Sequence, residues 1–186
     1  MAKRLAARHG LVEYGTDERI PDHARQSDAT NAPSLAAFLA MDMDERWVNR
    51  SPRPMLETFP WFVGEGFEMI VDDLTELAEN ERVLAEGFRL LPRLVAPLLT
   101  EGNQAIWLVP TDEFRRRVFE ARGSAWFPYK TSDPGRAMAN LLQRDALFSE
   151  EVRHETARLG LPLMIVDGSL SLDELSRQVG QTLGLD

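Results

Sequence analysis

The chain has 186 residues, 44% of them hydrophobic, and a formal net charge of −9. This length suits one domain, and the hydrophobic content is sufficient for a buried core. The negative charge argues against a broad nucleic-acid-binding face, because a phosphate backbone attracts lysine and arginine. The absence of cysteine excludes disulfides, cysteine-bound zinc and thiol catalysis.

The N-terminal residues contain no apolar signal segment, and no apolar run approaches the roughly 20 residues needed to span a bilayer. His9, His23 and His154 are too scattered to predict a metal site. We therefore expect a cytoplasmic protein with neither a nucleic-acid nor a membrane partner.

The first half of the chain predicts helices and two short strands. In chain order these elements are a helix at 2–9, a strand at 11–14, a loop at 21–33, a helix at 34–49, a second helical stretch at 52–77, and a strand at 82–87. Gly10 is placed to end the first helix. Ser34 is the predicted cap of the second, and Pro60 is expected to kink or break the helical stretch after it.

The second half alternates strands and helices more regularly. Its predicted elements are a helix at 90–99, a strand at 104–109, a helix capped by Thr111, a loop at 123–135, a helix at 134–159, a strand at 163–166, and a last helix capped by Ser171 with Glu174. The runs QAIWLV and LMIV are continuously apolar, which is typical of buried parallel strands. The alternation predicts an α/β fold with a doubly wound parallel sheet in a single domain, 1–186.

The predicted strand ends carry Asp17, Glu86, Thr111 and the turn 167–169, and ligands bind at the carboxyl ends of strands in such sheets. The segment AKRLAARHGLVEYGTDER resembles the part of P-loop kinases of small molecules that comes directly after their phosphate-binding loop. This group includes nucleoside, nucleotide, gluconate and shikimate kinases. VLAEG, IWLVP and LMIVDGS are similar to three later strands of that family. The resemblance implies a helical acceptor-binding insertion at 34–79 and a helical lid at 115–159.

The departure from this family is that no G-x-x-x-x-G-K-[ST] motif occurs in the chain. By resemblance, both the phosphate-binding loop and the first, central strand are absent. Three explanations stay open: the sequence starts inside a longer protein, which we favour; the protein has abandoned nucleotide hydrolysis; or its family never had the loop.

The resemblance implies ATP-dependent phosphoryl transfer to a hydroxyl or phosphate group of a small-molecule acceptor, with ATP and Mg²⁺ as cofactors of the parent protein. This chain is then expected to be impaired and to bind ATP weakly or not at all. The alternative is a non-catalytic binding or interaction protein with the same architecture. A homodimer is a further expectation, because an exposed cleft in the sheet would favour self-association.

Three residues are the predicted catalytic groups. Asp17 lies just after a strand and can accept the proton of an acceptor hydroxyl, although it equally suits a turn cap. Glu86 ends an apolar strand and can hold Mg²⁺ through water or act as a base, unless it is an ordinary strand-terminal acid. Arg122 can supply a cation at the entrance of the lid, although a solvated basic face also explains this arginine.

Further site residues are implied by the resemblance. The predicted acceptor-binding residues are Arg19, Arg50, Glu65 and Arg89, and the predicted cofactor-binding residues are Arg115, Arg136, Arg144, Asp167, Gly168 and Ser169. A plain strand-to-helix turn also explains 167–169. The step Gly64-Glu65-Gly66 is unusual inside a helix, and a close backbone approach to a ligand would explain it.

Overall fold

A computed structural model of the protein describes residues 1–102, 104–123 and 126–185. Its helices are α1 (Ala2–His9), α2 (Ile20–Gln26), α3 (Pro33–Ala40), α4 (Pro52–Glu57), α5 (Pro60–Val63), α6 (Phe67–Ala78), α7 (Pro92–Val95), α8 (Asp112–Ala121), α9 (Pro134–Leu159) and α10 (Leu172–Thr182), with a π-helix at Glu45–Asn49 and 3₁₀ turns at Ala96–Leu98 and Phe127–Lys130. Its strands are β1 (Val12–Gly15), β2 (Val83–Glu86), β3 (Trp107–Pro110) and β4 (Leu163–Val166).

The predicted helix ends are largely confirmed. The hydroxyl of Thr111 accepts a hydrogen bond from the backbone N–H of Phe114, and Ser171 and Glu174 form a reciprocal capping box. Gly10 and Gly160 end α1 and α9 in the left-handed conformation, which glycine adopts without steric penalty.

Two local predictions in the first half are wrong. Part of the predicted loop at 21–33 is the helix α2, and the predicted helix at 34–49 breaks after Ala40 and resumes as the π-helix. Ser34 does not cap α3. Instead, the carboxylate of Glu65 accepts the backbone N–H groups of Ser34 and Leu35 at 2.7 and 2.8 Å. This cap comes from far along the chain, so local sequence does not reveal it.

The predicted doubly wound parallel sheet is also wrong. In the part of the chain that the structure describes, strands form two separate parallel pairs, β1 with β2 and β3 with β4, and no ladder joins them. Each strand has four residues, and the predicted strand at 104–109 begins only at Trp107. Near the start of β3, the indole N–H of Trp107 donates to the carbonyl of Leu90, beyond the end of β2, at 2.8 Å. The apolar runs indicated the strands correctly but carry no information about which strands pair.

Helix α9 organises the core, because α4, α7, α8, the π-helix and β3 all pack against it. Its residues Ala137 and Leu141 lie in one apolar cluster with Trp47, Val48 and Met55. Among the described residues, no helix has both the length and the apolar character needed to cross a membrane.

Leu141→Ala should lower the free energy of unfolding by about 3 kcal/mol, because it removes a side chain that is 2% exposed and leaves a cavity. Urea denaturation measures this change. Leu39→Ala, on a side chain that is 56% exposed, is the matched control and should change stability by less than about 0.5 kcal/mol. Equal effects of the two substitutions would contradict the assignment of the core.

Candidate functional site

The carboxyl ends of β1 and β2 bring two predicted acids to one edge. Gly15 pairs with Glu86 in the parallel register, and the backbone N–H of Thr16 donates to the Glu86 carbonyl at 2.8 Å. Asp17 follows immediately, so its carboxyl group and that of Glu86 lie on neighbouring strand ends. The charges of Arg89 and Arg122 both act on Asp17. We call Asp17, Glu86, Arg89 and Arg122 the strand-end site.

Gly87 brings the backbone unusually close to this site. Its φ is +136°, and a Cβ built on it would lie 1.8 Å from the Thr16 hydroxyl and 3.1 Å from a carboxylate oxygen of Asp17. No side chain fits at position 87 without displacing Thr16, which is fully buried. The chain after β2 is therefore held directly against Asp17.

Burial raises the pKa of the Asp17 carboxyl, since loss of water disfavours its charged form. The hydrogen bond from the Thr16 hydroxyl, at 3.3 Å, and the charges of Arg89 and Arg122 oppose this rise. A raised pKa brings a carboxylate closer to the range in which it accepts a proton effectively at neutral pH.

Glu86 is exposed as a residue, but its carboxylate packs over Gly15. Partial loss of water at the carboxyl raises its pKa, and the charges of Asp17, Glu13 and Glu18 raise it further, while the N-terminal ammonium opposes them. The two acids of the site are therefore electrostatically linked, because ionised Asp17 disfavours ionisation of Glu86.

Arg89 is 2% exposed and supplies a buried positive charge to the site. Its guanidinium donates to the carbonyls of Thr16 and Gly66 at 3.3 and 3.1 Å, and it lies over the ring of Trp61 at 4.5 Å. These contacts hold the guanidinium in one place. A side chain at position 66 would crowd this guanidinium, since a Cβ built on Gly66 would lie 2.9 Å from Arg89.

A chain of polar groups supports Arg89 from behind. A guanidinium N–H of Arg89 faces Nδ1 of His23 at 3.0 Å, while Nε2 of His23 lies 3.1 Å from Asp73. The arginine can only donate and the carboxylate only accept, so His23 is assigned as a neutral ring with its proton on Nε2. The Tyr14 hydroxyl also donates to Asp73, at 2.6 Å.

Asp73 is the shared acceptor of this chain. Its burial acts to raise its pKa, but the hydrogen bonds from Tyr14 and His23, with the charge of Arg19, outweigh burial and lower the pKa. Burial and the hydrogen bond to Asp73 raise the pKa of Tyr14. Asp73 is therefore ionised at neutral pH and fixes the orientation of His23.

Arg122, the second arginine of the site, lies at the end of α8. Its guanidinium lies over the rings of Phe119 and Trp126 at 5.0 and 4.7 Å, which orients an otherwise exposed side chain.

Some predicted acceptor-binding residues have structural partners. Arg19 borders the site, 4.0 Å from Asp73 and over the Tyr14 ring. Arg50 donates to the Pro54 carbonyl and the Thr58 hydroxyl. Glu65 caps α3, so both its carboxylate oxygens are engaged. The structure thus groups Arg19 with the strand-end site and gives Arg50 and Glu65 packing roles.

The predicted cofactor-binding residues do not form one cluster with the strand-end site. Buried Arg115 binds Asp112 and Ser149, and buried Arg144 binds Asp145 and packs on aromatic rings. Arg136 is exposed at the start of α9. In the turn after β4, Ser169 donates to the Asp167 carboxylate through its backbone N–H and its hydroxyl, and Gly168 lies against Phe114.

Four residues in or beside the site were not predicted from the sequence: Tyr14, His23, Asp73 and Phe88. Tyr14 is the last large side chain of β1, and Phe88 follows the Glu86-Gly87 step, so their positions beside predicted acids were an available signal. His23 and Asp73 lie 50 residues apart in the chain, and no local pattern indicates that they meet.

The two implied cofactors, Mg²⁺ and ATP, need different groups from the protein. Asp17 and Glu86 offer the oxygen ligands that Mg²⁺ prefers, although the described residues contain no group of three or more metal-binding side chains. For ATP, the sequence contains no G-x-x-x-x-G-K-[ST] motif, the loop whose backbone amides and lysine hold the phosphates in P-loop proteins. Lys3 is paired with Glu18, and Lys130 lies exposed in a 3₁₀ turn.

Comparisons of this chain with protein-family models, with curated proteins and with solved structures find no match.

Asp17→Asn should lower the pKa of Glu86, because the substitution removes a neighbouring negative charge and leaves Glu13 and Glu18 in place. Carboxyl NMR titration of Glu86 measures this pKa directly. Asp72→Asn, a change of equal size on an exposed side chain, should leave the pKa of Glu86 unchanged.

An unchanged Glu86 pKa in Asp17→Asn would contradict the proximity of the two acids. The same variant also tests the sign of the effect on stability. A raised folded-state pKa stabilises the fold at low pH and loses that contribution as pH rises through it, so Asp17→Asn should not destabilise the protein at neutral pH.

Proposed function

We propose that this chain carries the acceptor-binding site of a small-molecule phosphotransferase, at the carboxyl ends of β1 and β2. The observation that carries the proposal is the juxtaposition of Asp17 and Glu86 with two arginines, one buried and fixed, the other exposed at the end of α8. A hydroxyl-bearing molecule would place its O–H beside Asp17, whose carboxylate would take the proton when the oxygen attacks phosphorus.

Each remaining group has a role consistent with its surroundings. Arg89 would keep a fixed positive charge beside Asp17, since its guanidinium is held by three elements before any ligand arrives. Glu86 would orient a second hydroxyl or hold a water-bound cation. Arg122 is the accessible cation and would neutralise negative charge on the bound molecule.

A second candidate is a non-catalytic binding protein that uses the same site. The absence of G-x-x-x-x-G-K-[ST] from the sequence favours it, because this loop supplies the backbone amides and the lysine that hold the transferred phosphate. The two candidates share a ligand and differ in whether phosphoryl transfer follows binding.

The binding step is testable with ¹⁵N-labelled protein and a panel of hydroxyl-bearing probes: nucleosides, sugar acids and cyclic polyols. At least one class should shift the amide resonances of 15–18 and 86–89. Asp17→Asn should weaken that binding about tenfold, the cost of losing one hydrogen bond to a charged group. Asp72→Asn, the matched control, should bind as the unaltered chain does. If Asp17→Asn also binds as the unaltered chain does, the role of Asp17 is contradicted.

We further expect Mg-ATP to bind this chain only in the millimolar range or more weakly, because no described loop provides a phosphate cradle. Isothermal titration calorimetry with Mg-ATP measures this directly. A micromolar dissociation constant would overturn the expectation and would favour the catalytic candidate over the binding protein.

A further inference from the structure

Phe88 is an aromatic residue with unusual placement. It follows Gly87 at the end of β2 and is 37% exposed, although most of the other phenylalanines of the described chain are less accessible. A single exposed aromatic residue is ordinary on a protein surface. Two further observations distinguish Phe88 from exposed apolar residues elsewhere, such as Leu39 and Val63.

The first observation is that the ring of Phe88 contacts two other aromatic rings. Its centroid lies 5.9 Å from that of Phe62, edge to face, and 6.4 Å from that of Phe59. Phe59 and Phe62 are themselves 4.8 Å apart. We call Phe59, Phe62 and Phe88 the aromatic shelf.

The shelf is held rigidly from behind. The guanidinium of Arg144 packs over Phe59 and Phe62 at 4.6 and 5.0 Å, and its charge is paired with Asp145 at 2.6 Å. Phe148 stacks on Phe62 with a centroid distance of 3.8 Å and an interplanar angle of 4°. These contacts restrict the supporting rings and leave Phe88 as the outermost member.

The second observation is that Phe88 directly follows Gly87, whose backbone lies close to the proposed proton acceptor. Gly87 is pressed against Thr16 and Asp17, so the residue after it cannot move away from the strand-end site without breaking that contact. Buried Arg89 fixes the chain on the other side of Phe88. Phe88 is therefore anchored between a glycine and an arginine that both border Asp17.

We propose that Phe88 is a specificity-determining residue that selects acceptors with a flat aromatic ring. The ring of the acceptor stacks on Phe88 while a hydroxyl group on a short arm reaches Asp17. This inference rests on the function proposed above and narrows its substrate class. Ring-on-ring contact favours a planar acceptor over a saturated one of the same size, because aromatic pairs gain beyond the apolar area they bury.

A matched pair of probes isolates ring planarity. The first is para-hydroxymethylbenzoate, and the second is its saturated cyclohexane analogue, which has the same hydroxyl and carboxylate but no flat ring. Dissociation constants from ¹⁵N amide titrations of the full chain should favour the aromatic probe about five- to tenfold, as expected for one aromatic contact. Phe88→Leu should abolish this preference, and Phe88→Tyr should retain it.

Tyr129→Leu is the control, since it removes an exposed aromatic ring from another segment and should leave the preference intact. Equal affinity for the two probes in the unaltered chain, binding of neither probe, or an unchanged preference in folded Phe88→Leu would each overturn the inference. Amide spectra of each variant report whether it is folded, and Phe88→Tyr keeps the test decisive should Phe88→Leu unfold.

Asp17→Asn separates this inference from the function on which it rests. If both probes bind with equal affinity and Asp17→Asn weakens the binding of both, the acceptor site is supported and the role of Phe88 is contradicted. When the aromatic preference is present and Asp17→Asn leaves both affinities unchanged, the placement of the hydroxyl beside Asp17 falls, and with it the proposed function.

Discussion

The buried guanidinium of Arg89 is the interaction on which the arrangement of this protein depends. It joins the end of β1, through the Thr16 carbonyl, to α2, through His23, and to the start of α6, through the Gly66 carbonyl. Burial lowers the pKa of Arg89, while the charges of Asp17 and Asp73 support its ionised form. An arginine remains charged even so, and an uncompensated charge at this depth would cost several kcal/mol. The three elements therefore have to meet around it.

The sequence predicted the features that depend on neighbours in the chain. Helix ends were predicted correctly where the signal is local, as with Thr111, Ser171 and Gly160. The strands were found because apolar runs mark buried backbone. The pairing of strands was not predicted, because it depends on contacts between segments far apart in the chain, which local sequence does not show. The cap of α3 was missed for the same reason, because Glu65, which supplies it, lies 31 residues further along the chain.

The candidate site was predicted in part. Parallel pairing brings the residues at and just after the ends of β1 and β2 to one edge, among them Asp17, Arg19, Glu86 and Arg89. Arg122 ends α8, and this rule does not explain its position. Arg50, Arg115 and Arg144 looked equivalent to them in the sequence, because an arginine that packs on rings or binds a carbonyl has no distinguishing local pattern. The Tyr14–Asp73–His23 network depends on Asp73, which is at least 50 residues from both partners, so only the folded chain reveals it.

The step Gly64-Glu65-Gly66 has a mechanical consequence. Glu65 accepts hydrogen bonds from the first turn of α3, and the Gly66 carbonyl accepts one from Arg89, so this corner connects α3 to the ends of β1 and β2. Gly64 adds a third attachment, since its backbone lies against Leu94 in α7. Bending the chain at this corner would break the cap of α3 and the hydrogen bond to Arg89 together. A displacement of α3 at this corner would therefore also disturb the strand-end site.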